Sequence, residues 1–282
     1  MQKILVPTDF STTAMKAASY AAEIAQKTGA TIFLLHVIEP ITDGLRQYYP
    51  LHERLHEENA NAGLSELGTM QKSVTKIYPA IKIETELAKG TVINSILAFA
   101  DEQQMDLIVM GTTGATGLKE IFMGSMAAAT ISRTKIPVLT VPAGYEMEQP
   151  DGILFATNKF EENKALLNPI VNLAKLFSAT VHVAVFVDTD DAEAADYVYN
   201  TRQLNHYLGF LKKSFPDTDF RGELLEGSEF EDTIDKYDTK NEVDVIAMIT
   251  YPKSFLEKVL RKSVTRKMAF HSTIPLLAIP AR

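Results

Sequence analysis

The chain has 282 residues, 46% of them hydrophobic and 23% charged, an ordinary globular composition with room for two domains. Its net charge of -8 argues against general binding to nucleic acid or anionic membranes. The absence of cysteine excludes disulfides and thiolate metal sites, and neither a signal peptide nor an apolar run of the ~20 residues that a membrane span needs is evident, so the expectation is a soluble cytoplasmic protein.

Taken in chain order, Lys3 to Val6 predicts a short strand ending at Pro7. Thr12 to Gln26 carries Ala14, Ala17, Ala18, Ala21, Ala22 and Ala25, a spacing that makes one apolar helix face. Gly29 stands just past its end, as a helix stop does. Thr31 to Ile38 predicts an apolar strand, Tyr48 to Val74 a long polar-rich helix, Ile81 to Leu87 a third strand and Thr91 to Glu102 a helix. A fourth strand, Asp106 to Met110, runs into Gly111. A helix from Ser125 follows, and Val138 to Val141 closes the half. Strands buried on both faces and joined by helices predict a parallel sheet with helices on both sides.

The second half repeats the first. Ile4 to Asp9 matches Ile153 to Asn158, and Thr31 to Val37 matches Thr180 to Phe186, both at an offset of 149 residues. Asp106 to Met110 matches Asp244 to Met248, and Ile136 to Pro142 matches Ile274 to Pro280, both at an offset of 138. Matches this long in the same order predict two copies of one domain, 1–144 and 150–282, joined by a polar linker around Gly144 and Pro150. The expected fold class is α/β, with two tandem doubly wound five-stranded parallel sheets.

The chemistry concentrates at Gly111, Gly114, Gly124 and Ser125, a Gly-x2-Gly-x9-Gly-Ser spacing between the fourth strand and the following helix. Glycine admits close backbone approach. A helix start presents unpaired N–H groups and the positive end of a dipole, so the pattern predicts an anion site suited to nucleotide phosphates. Ligands in such sheets sit beyond the carboxyl ends of the strands, where strand order reverses; Asp9, Val37 and Gly111 all lie at strand ends. With the opening Val6-Pro-Thr-Asp9, the strand ending His36-Val37 and the closing Pro137 to Val141, the chain resembles the universal stress protein (UspA) family in its tandem form, a fold of the adenine nucleotide alpha hydrolase-like type. The glycine signature is similar to that of the ATP-binding branch. The resemblance implies ATP, accompanied by a divalent cation such as Mg2+. Asp9 and Val37 are implied to hold the adenosine end, Val37 through its backbone, with Pro7 and Thr8 included in the site. Met110 and Gly111 are implied to line the ribose side, and Gly114, Gly124, Ser125 and the backbone of Met126 to wrap the phosphates. It also implies pairing of the two domains through their last strands, an internal pseudo-dimer, with homodimerisation beyond that left open.

The second half departs from the pattern. At the same offsets Gly111 becomes Ile249, Gly114 becomes Pro252, Gly124 becomes Lys262, Asp9 becomes Asn158 and Pro7 becomes Ala156, while Ser125 is kept as Ser263. The expectation is that this half does not bind ATP in the family manner. His52-Glu-Arg-Leu-His56 spells the zinc-protease pattern His-Glu-x-x-His, but its polar surroundings favour a solvated helix, with adventitious or structural zinc as the alternative. Lys119 is equally readable as a phosphate ligand or a solvated side chain. The basic run from Lys253 to Lys267 reads as a solvated face, offset by acids such as Asp188 to Asp196.

No P-loop, dinucleotide fingerprint or Ser–His–Asp set is present in the spacing. The leading functional expectation is an ATP-binding stress-response module with little or no turnover, since no general base stands out. The alternatives are a weak ATPase or nucleotide-dependent enzyme, and a scaffold that binds a lipid or metal in its second half.

Overall fold

The computed structural model describes residues 1–40, 49–112, 125–146, 149–190, 192–228, 230, 233–234, 236–237, 243–251 and 274–281. They fall into two compact units, with the boundary between Ala143 and Gly144. The first runs β1 (Lys3–Pro7), α1 (Thr12–Thr28), β2 (Thr31–Ile38), α2 (Tyr49–Ile77), β3 (Lys82–Lys89), α3 (Val92–Glu102), β4 (Leu107–Gly111), α4 (Ser125–Arg133) and β5 (Val138–Val141). Its strands are parallel, in the order β3-β2-β1-β4-β5. The second runs β6 (Gly152–Ala156), α5 (Lys164–Phe177), β7 (Thr180–Asp188), α6 (Ala194–Ser214), β8 (Phe220–Gly227), β9 (Val245–Thr250) and β10 (Leu276–Pro280). Its order, β8-β7-β6-β9-β10, is the same and is again parallel. The doubly wound α/β architecture expected from the alternation is therefore present in both units. The long polar-rich helix extends three residues past its predicted end, to Ile77.

Both cores follow from strands that have no wet face. Ile4, Leu5 and Val6 of β1 and Ile153, Leu154 and Phe155 of β6 are buried, which is why these runs are apolar without alternation. On α1 the expected alanine face is the buried one: Ala14, Ala17, Ala18, Ala21, Ala22 and Ala25 are all buried. Small side chains let the helix axis come close to the sheet. Ser11 caps its start, Oγ accepting from the Ala14 amide at 3.1 Å, which satisfies one of the orphan donors of a helix N-terminus.

The duplication extends to individual bonds. In the first unit Asp106 Oδ2 accepts from the amides of Gln2 and Lys3 at 2.5 and 3.0 Å. In the second, Asp244 Oδ2 accepts from Asp151 and Gly152 at 2.7 and 3.0 Å. Each carboxylate precedes the fourth strand of its unit and ties it to the start of the central strand, so the residue with which both copies begin that segment has a structural reason.

One duplicated position is chemically unequal. The first helix of each unit ends on a left-handed residue whose amide reaches back into the last turn. In the first unit this is Gly29, φ 72°; in the second it is Ser178, φ 60°. Glycine takes this conformation without the Cβ clash that serine meets. Ser178→Gly is expected to stabilise the second unit by ~0.5–1 kcal/mol, read as a rise in its denaturant midpoint at unchanged slope; a fall would contradict the cap geometry.

Candidate functional site

The point where strand order reverses lies between β1 and β4 in the first unit, and Pro7, Val37, Met110 and Gly111 stand at or near the ends of β1, β2 and β4. The β1–β2 register runs from Lys3↔Thr31 to Pro7↔Leu35, whereas β2 continues to Ile38. The chain leaves β1 through Thr8, whose amide still bonds Leu35 O at 2.8 Å. Beyond that, Gly90 N donates to Ile38 O at 3.1 Å on the β3 side. Peptide groups alternate sides along a strand, so the N–H and C=O of Val37 point the other way, past the end of β1. This is the strand-end edge that a planar, hydrogen-bonding ring can meet.

The turn after β1 is held by a compact network. Thr8 is buried, and Thr8 Oγ1 accepts from the Phe10 amide at 2.9 Å and donates to Met70 Sδ at 3.3 Å. Thr8 O lies 2.8 Å from His36 Nδ1. A carbonyl only accepts, so His36 carries its proton on Nδ1 and donates. The rings of Phe10 and His36 lie 4.4 Å apart, and Phe10 sits at φ 62°, a conformation that a bulky residue adopts only when its surroundings enforce it. Gly63 of α2 completes the packing, since a Cβ there would come within 3.1 Å of His36 Cδ2 and Leu87 Cδ1. The result is an exposed Asp9 on a rigid turn, its Oδ1 accepting from Ser11 N at 3.1 Å. Thr8 thus shapes the turn, with its amide, hydroxyl and carbonyl engaged inside the chain. His36, quoted in the sequence only as part of a strand ending, is the residue whose structural task spacing alone did not reveal.

On the other side of the switch point, Met110 is buried in β4 and Gly111 ends the strand, with the following Thr112 amide bonded to Val141 O at 3.1 Å. A Cβ on Gly111 would lie 2.7 Å from Thr13 Cγ2 and 3.2 Å from the Thr13 backbone. This glycine therefore also serves α1 packing, beside the ligand-facing role expected for it. Ser125 is exposed at the first position of α4, and Met126 follows, its carbonyl accepting from Thr130 Oγ1 at 2.8 Å. Gly114, Gly124 and Lys119 lie outside the described residues, as do the side chains of His52 and His56, which sit on α2. Among the described residues no three His, Asp or Glu side chains converge as a metal site.

Comparison with known proteins agrees with this fold. The model of the Universal stress protein family matches residues 1–142 and again 151–280. The chain belongs to the universal stress protein family. Universal stress protein MJ0531 of Methanocaldococcus jannaschii is 35% identical over 144 residues, 50% of this chain and 81% of that protein. Universal stress protein YxiE of Bacillus subtilis is 31% identical over 146 residues, 49% of this chain and 97% of its own length. A universal stress protein structure from Archaeoglobus fulgidus covers 99% of this chain and 98% of its own, with a TM-score of 0.75 at 18% identity; it shares the tandem fold. No helix among the described residues is long and apolar enough to cross a membrane.

The same crevice of the second domain is bridged by the protein's own side chains. Tyr251, directly after β9, donates from its hydroxyl to Glu161 Oε2 at 2.8 Å. Glu161 lies on the turn after β6, and its Oε1 accepts from Asn163 N at 2.8 Å. Tyr207 of α6, 1% exposed, donates to Glu161 O at 2.6 Å. Lys159 Nζ stands 3.7 Å above the Tyr251 ring, a cation–π contact. Glu161 and Lys159 thus tie the end of β9 to the turn after β6, and Tyr207 ties α6 to the same turn. Pro252, Lys262 and Ser263, the expected substitutes for the glycine motif, lie outside the described residues.

Two outcomes follow. Gly111→Ala is expected to cost ~1–3 kcal/mol from overpacking against Thr13, with part of the loss recovered by adding Thr13→Ser, which deletes the clashing methyl; equal stability of Gly111→Ala and wild type, by chemical denaturation, would refute the packing role. For the bridge, burial first, then the hydrogen bond and charge of Glu161, push the Tyr251 phenol well above its ordinary value. A raised folded-state value means that this stabilisation is complete below the unfolded value of ~10 and is lost as pH climbs beyond it. Tyr251→Phe is accordingly expected to flatten the alkaline decline in second-domain stability above pH ~10, followed by urea midpoints across that range; an unchanged slope would count against the bridge.

Proposed function

We propose that this universal stress protein binds ATP in its first domain, at the carboxyl ends of β1, β2 and β4, and acts as a cytoplasmic nucleotide-responsive module in a stress response. The observation that carries the reading is the meeting of two features at one switch point: the outward-turned peptide edge of Val37 beside the rigid Asp9 turn, and Gly111 with the exposed Ser125 opening α4. The first pair suits the flat, donor-and-acceptor edge of adenine and a ribose hydroxyl. The second suits phosphate oxygens, because the first amides of a helix have no partner within it and the dipole there favours an anion. The Ser125 hydroxyl would add a further donor for an anion. Pro7, Met110 and the backbone of Met126 complete the lining, with Gly114 and Gly124 supplying the phosphate loop. Mg2+ would accompany ATP through phosphate and water oxygens.

The second domain supports a different role. With its crevice bridged by Tyr251, Glu161 and Tyr207, it would take no ATP, so the chain holds one nucleotide and not two. ATP acts by favouring whichever conformation binds it better, with little or no turnover.

The deciding measurement is a melting and calorimetric titration of the full chain with Mg-ATP. At a hundredfold excess over Kd, stabilisation of ~2.7 kcal/mol is expected, with about one ATP per chain. Gly124→Val, and Asp9→Asn, which installs the residue found at 158, are expected to weaken binding by at least ~tenfold, equivalent to ~1.4 kcal/mol. No shift in millimolar ATP would overturn the reading, and two nucleotides per chain would overturn the one-site arrangement.

A further inference from the structure

The turn that leaves the first strand starts alike in both domains. Thr8 N donates to Leu35 O at 2.8 Å, and Thr157 N, at the offset of 149, donates to Ala184 O at 2.9 Å. Thr8 Oγ1 accepts from the amide two residues on, that of Phe10, at 2.9 Å, and Thr157 Oγ1 accepts from that of Lys159 at 3.4 Å. The copies part at the carbonyl. Thr8 O accepts from His36 Nδ1 at 2.8 Å. The residue at the place of His36 in the second domain is Val185, which is buried and has no side-chain donor. There the turn is held by Tyr207, through Glu161 O. The imidazole donor thus belongs to the copy proposed above to take the nucleotide.

Where that donor acts is set by the strand ladder. With Thr8 N–H already on Leu35 O, the next rung of a parallel pair is Val37 N–H on Thr8 O. That rung is missing: the register ends at Pro7↔Leu35, and among the described residues no backbone bond joins Val37 to Thr8. The imidazole has taken the acceptor instead. His36 and Val37 are chain neighbours, as are Thr8 and Asp9. One hydrogen bond therefore ties the residue before Val37 to the residue before Asp9. The ring making it is packed on two sides, with the Phe10 ring 4.4 Å away and Gly63 of α2 so near that a Cβ there would come within 3.1 Å of His36 Cδ2. A side chain confined in this way gives up little further freedom in forming its bond.

We propose that His36 is a positioning residue for the nucleoside end of the ligand, an inference that rests on the nucleotide reading above. His36 Nδ1–H holds the Thr8 carbonyl, and Met70 Sδ of α2 accepts from the Thr8 hydroxyl at 3.3 Å; together they draw Thr8 towards α2 and off the line of the ladder. The Val37 amide is thereby kept for the base, and Asp9 is fixed beside it. Without the donor, Thr8 O pairs with Val37 N–H, β1 gains a rung, and the edge offered to the base is used up inside the sheet. His36 acts through Thr8 and Val37, whereas the phosphate end, at the start of α4, is served by other elements.

The test has two parts, both on the full chain. Amide hydrogen exchange at Val37 without nucleotide reads the rung directly: protection is expected to rise at least ~tenfold in His36→Leu, because the amide gains a partner inside the sheet. Calorimetry with Mg-ATP and with magnesium tripolyphosphate separates the two ends of the ligand. His36→Leu is expected to weaken Mg-ATP at least ~tenfold and to leave tripolyphosphate unchanged, which a general loss of structure would not do. His36→Asn, whose side-chain amide donates from near the place of Nδ1, is expected to restore both readouts. Should His36→Leu fold poorly, His36→Phe keeps a ring beside Phe10, lacks the donor and carries the same expectations. Unchanged Val37 protection, unchanged Mg-ATP affinity or equal weakening of both ligands in the donorless variants would overturn the positioning role, as would a His36→Asn protein that matches them. A wild type that binds neither ligand would overturn the nucleotide reading and with it the role towards a nucleoside, whereas Val37 exchange decides on its own whether His36 withholds the amide.

Discussion

Inner strands of a parallel sheet must pair every peptide group on both edges, and a strand that outruns its neighbour leaves donors and acceptors in want of a partner. In the first domain β1 stops opposite Leu35 while β2 goes on to Ile38. In the second, β6 stops opposite Ala184 while β7 goes on to Asp188. This mismatch opens the crevice at the switch point in both copies. The two domains then treat the opening differently: the first leaves a rigid, exposed turn and a helix start around it, and the second ties Tyr251 and Tyr207 to Glu161 there.

Because the copies share strand order, carboxylate ties and helix caps, each acts as a control for the other. Asp106 and Asp244 make the same pair of bonds, so they belong to the scaffold. Gly29 and Ser178 adopt the same backbone with unequal ease. His36 and Val185 occupy equivalent places with unlike chemistry. Differences of this kind are more informative than either domain alone, since the fold common to both cannot explain them.

Much of this was legible in the sequence. The alanine spacing of α1, the Gly29 stop and the apolar strand runs each reflect a local rule, so the helices and strands could be read in order. The repeat offsets were visible because equal-length segments bear the same buried residues. What could not be read were side-chain partnerships across the chain. Glu161 and Tyr251 are separated by 90 residues, and His182 and Tyr237 by 55; nothing in local spacing brings either pair together. His36 is similar: its proton position follows only from the nearness of the Thr8 carbonyl. Gly111 was legible as a flexible position, but its packing against Thr13 required the crossing of α1 over β4.

The alanine face of α1 has a consequence for how this protein tolerates change. Ser11, which begins that helix, is two residues from Asp9, so the height of the helix above the sheet sets where the turn stands. A single added methyl on the inner face, at Ala17 or Ala21, would lift the whole cylinder and carry the turn with it. Substitutions at these small residues therefore act on the crevice through the helix, and counting only the positions around the crevice would underestimate how much of the chain keeps it in shape.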